Sequence, residues 1–119
     1  MNELYLTIAG ANCYYGMRPF AIGNVIRCQK EPSNPYDAEA ICCTLPMVGT
    51  VGYVANSVRT VCGGTMSAGR LYDKVPGKFY AKVLFTSATK VICRVELENF
   101  AQLEDVCQEQ TKQPWYLEE

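Results

Sequence analysis

The feature that most constrains the fold of this chain is a series of short runs in which alternate residues are apolar. In one of these runs, Val91, Cys93 and Val95 occupy every second position. Successive side chains of a strand point to opposite faces, so each run predicts a strand with one buried face. The runs predict six strands, at residues 4–9, 22–29, 40–45, 47–54, 78–86 and 90–97. Six short strands with a helical insertion predict a small, strongly curved all-β barrel.

Helical signals lie between the fourth and fifth strands and after the sixth. Asn56 and Ser57 offer an N-cap for a short helix over 58–61, and a second helical turn is predicted over 67–74. A longer helix is predicted over residues 99–110. We expect its apolar face to bury against the barrel or across a dimer, with its acidic side pointing away from a basic groove of the barrel. That apolar face comprises Phe100, Leu103, Val106 and Cys107.

Length and charge predict a basic barrel followed by an acidic tail. The 119 residues suit one domain, with a barrel over residues 1–98 and an acidic helix and tail over 99–119. Residues 1–95 carry ten Lys and Arg against five Asp and Glu, whereas residues 96–119 carry one against seven. Two interpretations stay open: a polyanionic partner, or a mixed solvated surface with an acidic tail that favours solubility.

The sequence lacks the residues and patterns that several classes of protein require. The N-terminus shows no signal-peptide pattern and no run approaches the roughly 20 apolar residues of a membrane span, so we expect a soluble, cytoplasmic protein. Seven cysteines are present without C-x-x-C spacing, and histidine is absent, so we expect no zinc, no other cofactor and no required disulfide. No P-loop or nucleophile elbow is present, and without histidine the usual general base is missing. We therefore predict that the chain is not an enzyme.

The segment Glu31-Pro32-Ser33-Asn34-Pro35-Tyr36-Asp37 indicates a rigid turn that presents an aromatic ring beside a carboxylate. Its two prolines fix φ and cannot donate to a strand ladder. Three further tyrosines fall in predicted loops or at strand ends: Tyr14, Tyr15 and Tyr53. Such rings stack on bases in proteins that bind single strands, although rings that merely close the mouths of the barrel would have the same spacing.

The order of these pieces resembles the HIRAN domain. The matching segments are Leu6-Thr7-Ile8-Ala9-Gly10, Tyr14-Tyr15-Gly16, the stretch from Glu31 to Ile41, and Val51-Gly52-Tyr53-Val54. The resemblance covers roughly residues 4–97 and implies an OB-like or SH3-like barrel that binds single-stranded DNA, in its best-known eukaryotic form at a 3′ end. With 119 residues the chain is too short for the ATPase and RING finger of that form, so we expect a free-standing HIRAN protein of the bacterial or phage type. Transferred by position, it implies binding through Tyr14, Tyr15, Asn34, Tyr36 and Asp37, with Tyr53 and Asn56 in the same groove.

We therefore predict a non-catalytic module that binds single-stranded DNA at 3′-hydroxyl ends in DNA repair or replication, with RNA as the alternative nucleic acid. Cys13, Tyr53 and Asn56 stand where the eukaryotic form of the domain is more basic, so few phosphate contacts are expected. The rival hypothesis is a protein-interaction barrel that uses an open strand edge or the C-terminal helix, which includes a homodimer. Salt dependence separates the two, because binding to nucleic acid weakens log-linearly with salt.

Overall fold

The computed structural model describes residues 3–112, in which six antiparallel strands close into one barrel. The strands are β1 (Tyr5–Ala9), β2 (Val25–Lys30), β3 (Ile41–Leu45), β4 (Gly49–Val54), β5 (Lys78–Thr86) and β6 (Val91–Glu96). Around the barrel they follow the order β1-β4-β3-β2-β5-β6, and β6 pairs with β1 to complete the circle. The predicted six-stranded barrel is confirmed.

Two strands begin two or three residues later than predicted because turns with positive φ precede them. Gly23 lies in a turn at φ 93°, and its own amide donates to the carbonyl of Val83. β2 therefore starts at Val25 rather than at residue 22. Met47 follows Pro46 at φ 67°, a left-handed conformation that delays β4 to Gly49. Alternation alone did not reveal these turns, because the turn residues include apolar side chains.

The segment between β4 and β5 contains less helix than predicted. Ser57 accepts backbone bonds from Thr60 and Val61, which close one turn and do not continue into a helix at 58–61. The second helical turn is present as α1 (Ala68–Leu71), followed by a 3-10 turn at Tyr72–Lys74. The side chain of Ser67 caps α1 by accepting from the amide of Arg70 at 3.2 Å.

The same segment covers the seam between β1 and β4, where only the strand ends pair directly. The Ala55 amide donates to the carbonyl of Thr7 at 2.7 Å, and the Met66 amide donates to the carbonyl of Tyr5 at 2.8 Å. Within residues 3–112 every strand therefore has a partner on both sides. The open strand edge required by one form of the protein-interaction hypothesis is absent from this part of the chain, because the barrel closes.

The C-terminal helix α2 (Phe100–Gln110) packs on β2 and β5. Cys107 is fully buried in the core, and the Phe100 ring lies 5.4 Å from that of Tyr80 between centroids. Leu103 packs against the same core, but Val106 remains 38% exposed, so its predicted burial is wrong. Positions 100, 103 and 107 lie on one face of the helix, and residue 106 is turned about 100° from residue 107.

One acidic residue of α2 faces the barrel at β2 and β5, and the orientation of the acidic side relative to a basic groove stays a prediction. Glu104 accepts hydrogen bonds from the Arg27 guanidinium and from the Tyr80 hydroxyl, the latter at 2.5 Å. Gln110 bonds both backbone groups of Val25, at 2.6 and 2.8 Å, as a neighbouring strand would. These bonds hold α2 against the barrel, and the division of the chain at residue 98 stays a prediction.

The interior of the barrel is lined by apolar side chains and by the thiols of Cys28, Cys43 and Cys93, all fully buried. All seven cysteines are free, with Cys13 exposed and Cys62 partly exposed. No helix within the described residues is long and apolar enough to cross a membrane.

Candidate nucleic-acid interface

An open groove of about 610 Å³ lies between the turn after β1, the proline-framed loop and the end of β4. It contains six of the seven predicted binding residues. Those six are Tyr14, Asn34, Tyr36, Asp37, Tyr53 and Asn56. The barrel topology makes this possible, because β4 and β1 pair at Ile8–Val54 and Ala9–Tyr53 and so bring residues 10–14 next to the end of β4.

The aromatic rings of the groove differ in exposure. Tyr36 is 94% exposed on the proline-framed loop, whereas Tyr14 is 44% exposed. The rings of Tyr14 and Tyr53 lie 6.5 Å apart between centroids and are inclined at 40°, so together they form an aromatic wall. Tyr15 is outside the groove lining, and its hydroxyl donates to the carbonyl of Val48 at 3.3 Å.

Asn34 holds the shape of the proline-framed loop. Its Oδ1 accepts from the amides of Tyr36 and Asp37, at 2.9 and 3.1 Å, and its Nδ2 donates to Glu31 Oε1 at 3.0 Å. This is an Asx turn, in which an Asn side chain satisfies the backbone two and three residues further on. Asn34 therefore positions Tyr36 and Asp37, and both ends of its amide are already bonded within the protein.

Among the described residues, Asp37 is the one charged residue that lines the groove. Its Oδ1 accepts from the Glu39 amide at 2.9 Å, and its Oδ2 accepts from Asn56 Nδ2 at 2.8 Å. Asn56 in turn accepts through Oδ1 from the Gly69 amide at 2.8 Å. The carboxylate is thus fixed from two sides, and Asn56 acts mainly by positioning it.

Glu31 is a residue of the site that sequence reasoning did not single out. Its Oε1 accepts from the Tyr53 hydroxyl at 2.9 Å as well as from Asn34. Burial, followed by this bond to a carboxylate, raises the pKa of Tyr53 well above its ordinary value. Burial is also the largest cause of the raised pKa of Tyr14. No local pattern could have paired Glu31 with a tyrosine 22 residues further along the chain.

Among the described residues, no lysine or arginine lines the groove, so the basic side chains of the barrel lie outside it. Within residues 3–112, no three Asp, Glu or Cys side chains are grouped so as to hold a metal ion.

Comparison with solved structures finds two similar folds. The crystal structure of the HIRAN domain of human HLTF has a TM-score of 0.56 and 20% identity, covering 92% of this chain and 88% of that one. A protein from Lactobacillus plantarum has a TM-score of 0.51 and 17% identity, covering 79% of this chain and 94% of that one. No protein-family model and no curated protein matches the sequence. The comparison confirms the predicted HIRAN-like fold.

Proposed function

We propose that this HIRAN-like barrel is a non-catalytic module that binds single-stranded DNA and recognises its 3′-hydroxyl end. The observation that supports it best is the groove itself, in which exposed tyrosine rings stand beside one fixed carboxylate. The HIRAN resemblance of the sequence points to the same activity. Free 3′ hydroxyls arise in DNA repair and replication, where we place the module.

Stacking supplies most of the expected affinity. A ring as exposed as that of Tyr36 has most of its surface in water, and a stacked base would cover it. Base–aromatic stacking contributes about 1–3 kcal/mol per base and tolerates any sequence. Tyr14 and Tyr53 offer a second aromatic surface in the same groove.

Asp37 supplies the preference for an end. A carboxylate repels phosphate but accepts a strong charge-assisted hydrogen bond from a hydroxyl. The two protein donors to Asp37 leave lone pairs on its oxygens, because a carboxylate offers about four acceptor positions. Since the same donors hold the carboxylate in place, little ordering cost is expected on binding.

The groove offers no pair of groups for acid–base or nucleophilic catalysis. Asp37 is its one charged side chain, and the raised pKa values of Tyr14 and Tyr53 keep both hydroxyls protonated near neutral pH. Each of the surfaces named by the protein-interaction hypothesis is also used within the fold, since the barrel is closed and α2 packs on it. We therefore favour binding of nucleic acid by the groove.

The test is fluorescence anisotropy with 5′-labelled oligothymidylates that end in a 3′-hydroxyl or a 3′-phosphate. We expect tighter binding of the hydroxyl form and a shallow salt dependence, because no cation lines the groove. Tyr36→Ala and Asp37→Ala should each weaken binding by about 1–3 kcal/mol. An RNA strand of matching sequence decides between the two nucleic acids.

Phe85→Ala is the matched control, because Phe85 is 64% exposed on β5 and lies outside the groove. It should bind like the unmodified protein. Equal affinity for the two 3′ ends, together with unchanged binding by Asp37→Ala, would falsify end recognition.

A further inference from the structure

A second depression of about 390 Å³ adjoins the groove and is formed by residues 56–70. Asn56 and Ser57 line both cavities, so the two form one continuous surface. The depression also contains apolar side chains at its rim, among them Val58, which is 99% exposed. A sugar or a base lying across this rim would cover apolar surface that is now in water.

The depression carries the charge that the groove lacks. Of the described residues that line it, Arg70 is the one with a charged side chain. Among residues 3–112, no carboxylate lies within ion-pair distance of its guanidinium. The backbone amide of Arg70 donates to Ser67 Oγ at 3.2 Å, which fixes the start of its side chain at the cap of α1. An available guanidinium has the planar fork that suits phosphate oxygens.

A chain of hydrogen bonds links this cation to the carboxylate of the groove. Asn56 donates to Asp37 and accepts from the amide of Gly69, the residue directly before Arg70. The positions of Asp37 and of the Arg70 backbone are therefore coupled through one side chain. The Asp37 carboxylate lies in the groove, and the Arg70 guanidinium lies in the depression on the other side of Asn56 and Ser57.

We propose that a single strand whose 3′ end lies at Asp37 continues over Asn56 and Ser57 into the second depression, where Arg70 binds one of its internal phosphates. This subsite rests on the proposed function. A strand with its hydroxyl at Asp37 must carry its phosphates away from that carboxylate, and the continuous surface leads to Arg70. The subsite sets the strand direction and a minimum length for full affinity.

The experiment compares 3′-hydroxyl oligothymidylates of two and six nucleotides on the unmodified protein, Arg70→Gln and Lys74→Gln. Lys74 is an exposed cation just after α1 that lines neither cavity, so its variant changes the net charge equally. Arg70→Gln should weaken binding of the longer strand by a factor of about 3 to 5, the size expected of one exposed ion pair. It should also reduce the salt slope by about 0.7, the value for one phosphate of a single strand.

The shorter strand separates this inference from the proposed function. Arg70→Gln should keep the preference of the two-nucleotide strand for a 3′-hydroxyl over a 3′-phosphate, because Asp37 is untouched. If Arg70→Gln and Lys74→Gln bind the longer strand equally while that preference persists, the subsite is wrong and end recognition stands. If the unmodified protein binds neither strand, both proposals fail.

Discussion

Asn56 donates a 2.8 Å hydrogen bond through Nδ2 to Oδ2 of Asp37, which lies 19 positions earlier in the chain. The bond joins the proline-framed loop to the segment that follows β4. It leaves the carboxylate with one fixed orientation in the groove, and the rest of the Asn56 amide is bonded to Gly69. Under the proposed function, recognition of a 3′ end would therefore depend on Asn56 through its hold on Asp37.

Replacing Asn56 tests this dependence. Asn56→Ala should lower the free energy of unfolding by about 1–2 kcal/mol, because two hydrogen bonds are lost. It should also reduce the ratio of affinities for 3′-hydroxyl and 3′-phosphate strands, which anisotropy measures. Asn24→Ala is the control, since Asn24 Nδ2 bonds the carbonyl of Pro19 outside the groove. A similar loss of end preference in both variants would show that the effect is only one of stability.

The contact of Glu104 on α2 with Arg27 and Tyr80 predicts a specific dependence of stability on pH. The Arg27 guanidinium, followed by Tyr80 and Gln108, lowers the pKa of Glu104 from 4.5 to about 2. Because the folded pKa is the lower one, the stabilisation is complete above about pH 4.5 and is lost as the pH falls towards 2. Between pH 7 and pH 3 the unmodified protein should lose about 1–2 kcal/mol through this group.

Urea unfolding at the two pH values measures that loss. Glu104→Gln should be less stable at pH 7 and should show a smaller decrease at pH 3. Glu109→Gln serves as the control, because Glu109 is exposed and pairs only with Lys112 among the described residues. If Glu104→Gln keeps the full pH dependence, Glu104 is not the source of the stability lost at low pH.

Any side chain at Gly52 on β4 is predicted to destabilise the barrel for steric reasons. A Cβ at this position would lie 2.7 Å from Ile8 Cγ2 and 3.2 Å from the carbonyl oxygen of Ala9, both on the neighbouring β1. Gly52→Ala should therefore destabilise the barrel by about 1–3 kcal/mol, as overpacking does. Gly77→Ala, where a Cβ would meet nothing within 4 Å, should stay near the stability of the unmodified protein. Comparable melting temperatures for the two variants would rule out the clash.

The thiols should react in two classes. The thiolate is the reactive form, and burial raises the pKa of Cys107 to about 12 and that of Cys93 well above its ordinary value. Titration with Ellman's reagent should detect at most Cys13 and Cys62 in the native protein, and all seven thiols after denaturation.

We also expect zinc well below stoichiometry in protein purified without a metal-binding tag. A loss of thermal stability on adding a chelator would contradict that expectation.

Alternation and proline placement made the strands and the proline-framed loop predictable. They predicted that Tyr36 and Asp37 lie side by side on that loop, because the two residues come next after Pro35. Hydrogen bonds between side chains that lie far apart in the sequence were not predictable. Nothing near Glu31 in the sequence points to Tyr53, and nothing near Arg27 points to Glu104. The side chain of Tyr15 turned out to bond Val48 and to lie outside the groove lining, because adjacent residues of a turn point in different directions.

The position of β1 governs when the barrel can form during synthesis. β1 is the first strand of the barrel to be made, yet its longest pairing is with β6, where Leu6 faces Cys93. Closing so long a loop costs chain entropy, and contacts distant in sequence slow folding. The β3–β4 and β5–β6 hairpins can pair as soon as each leaves the ribosome, but β1 must wait for the end of the domain. Until then β1 can pair only with β4 at its end, and the rest of this apolar strand stays exposed to chaperones and proteases.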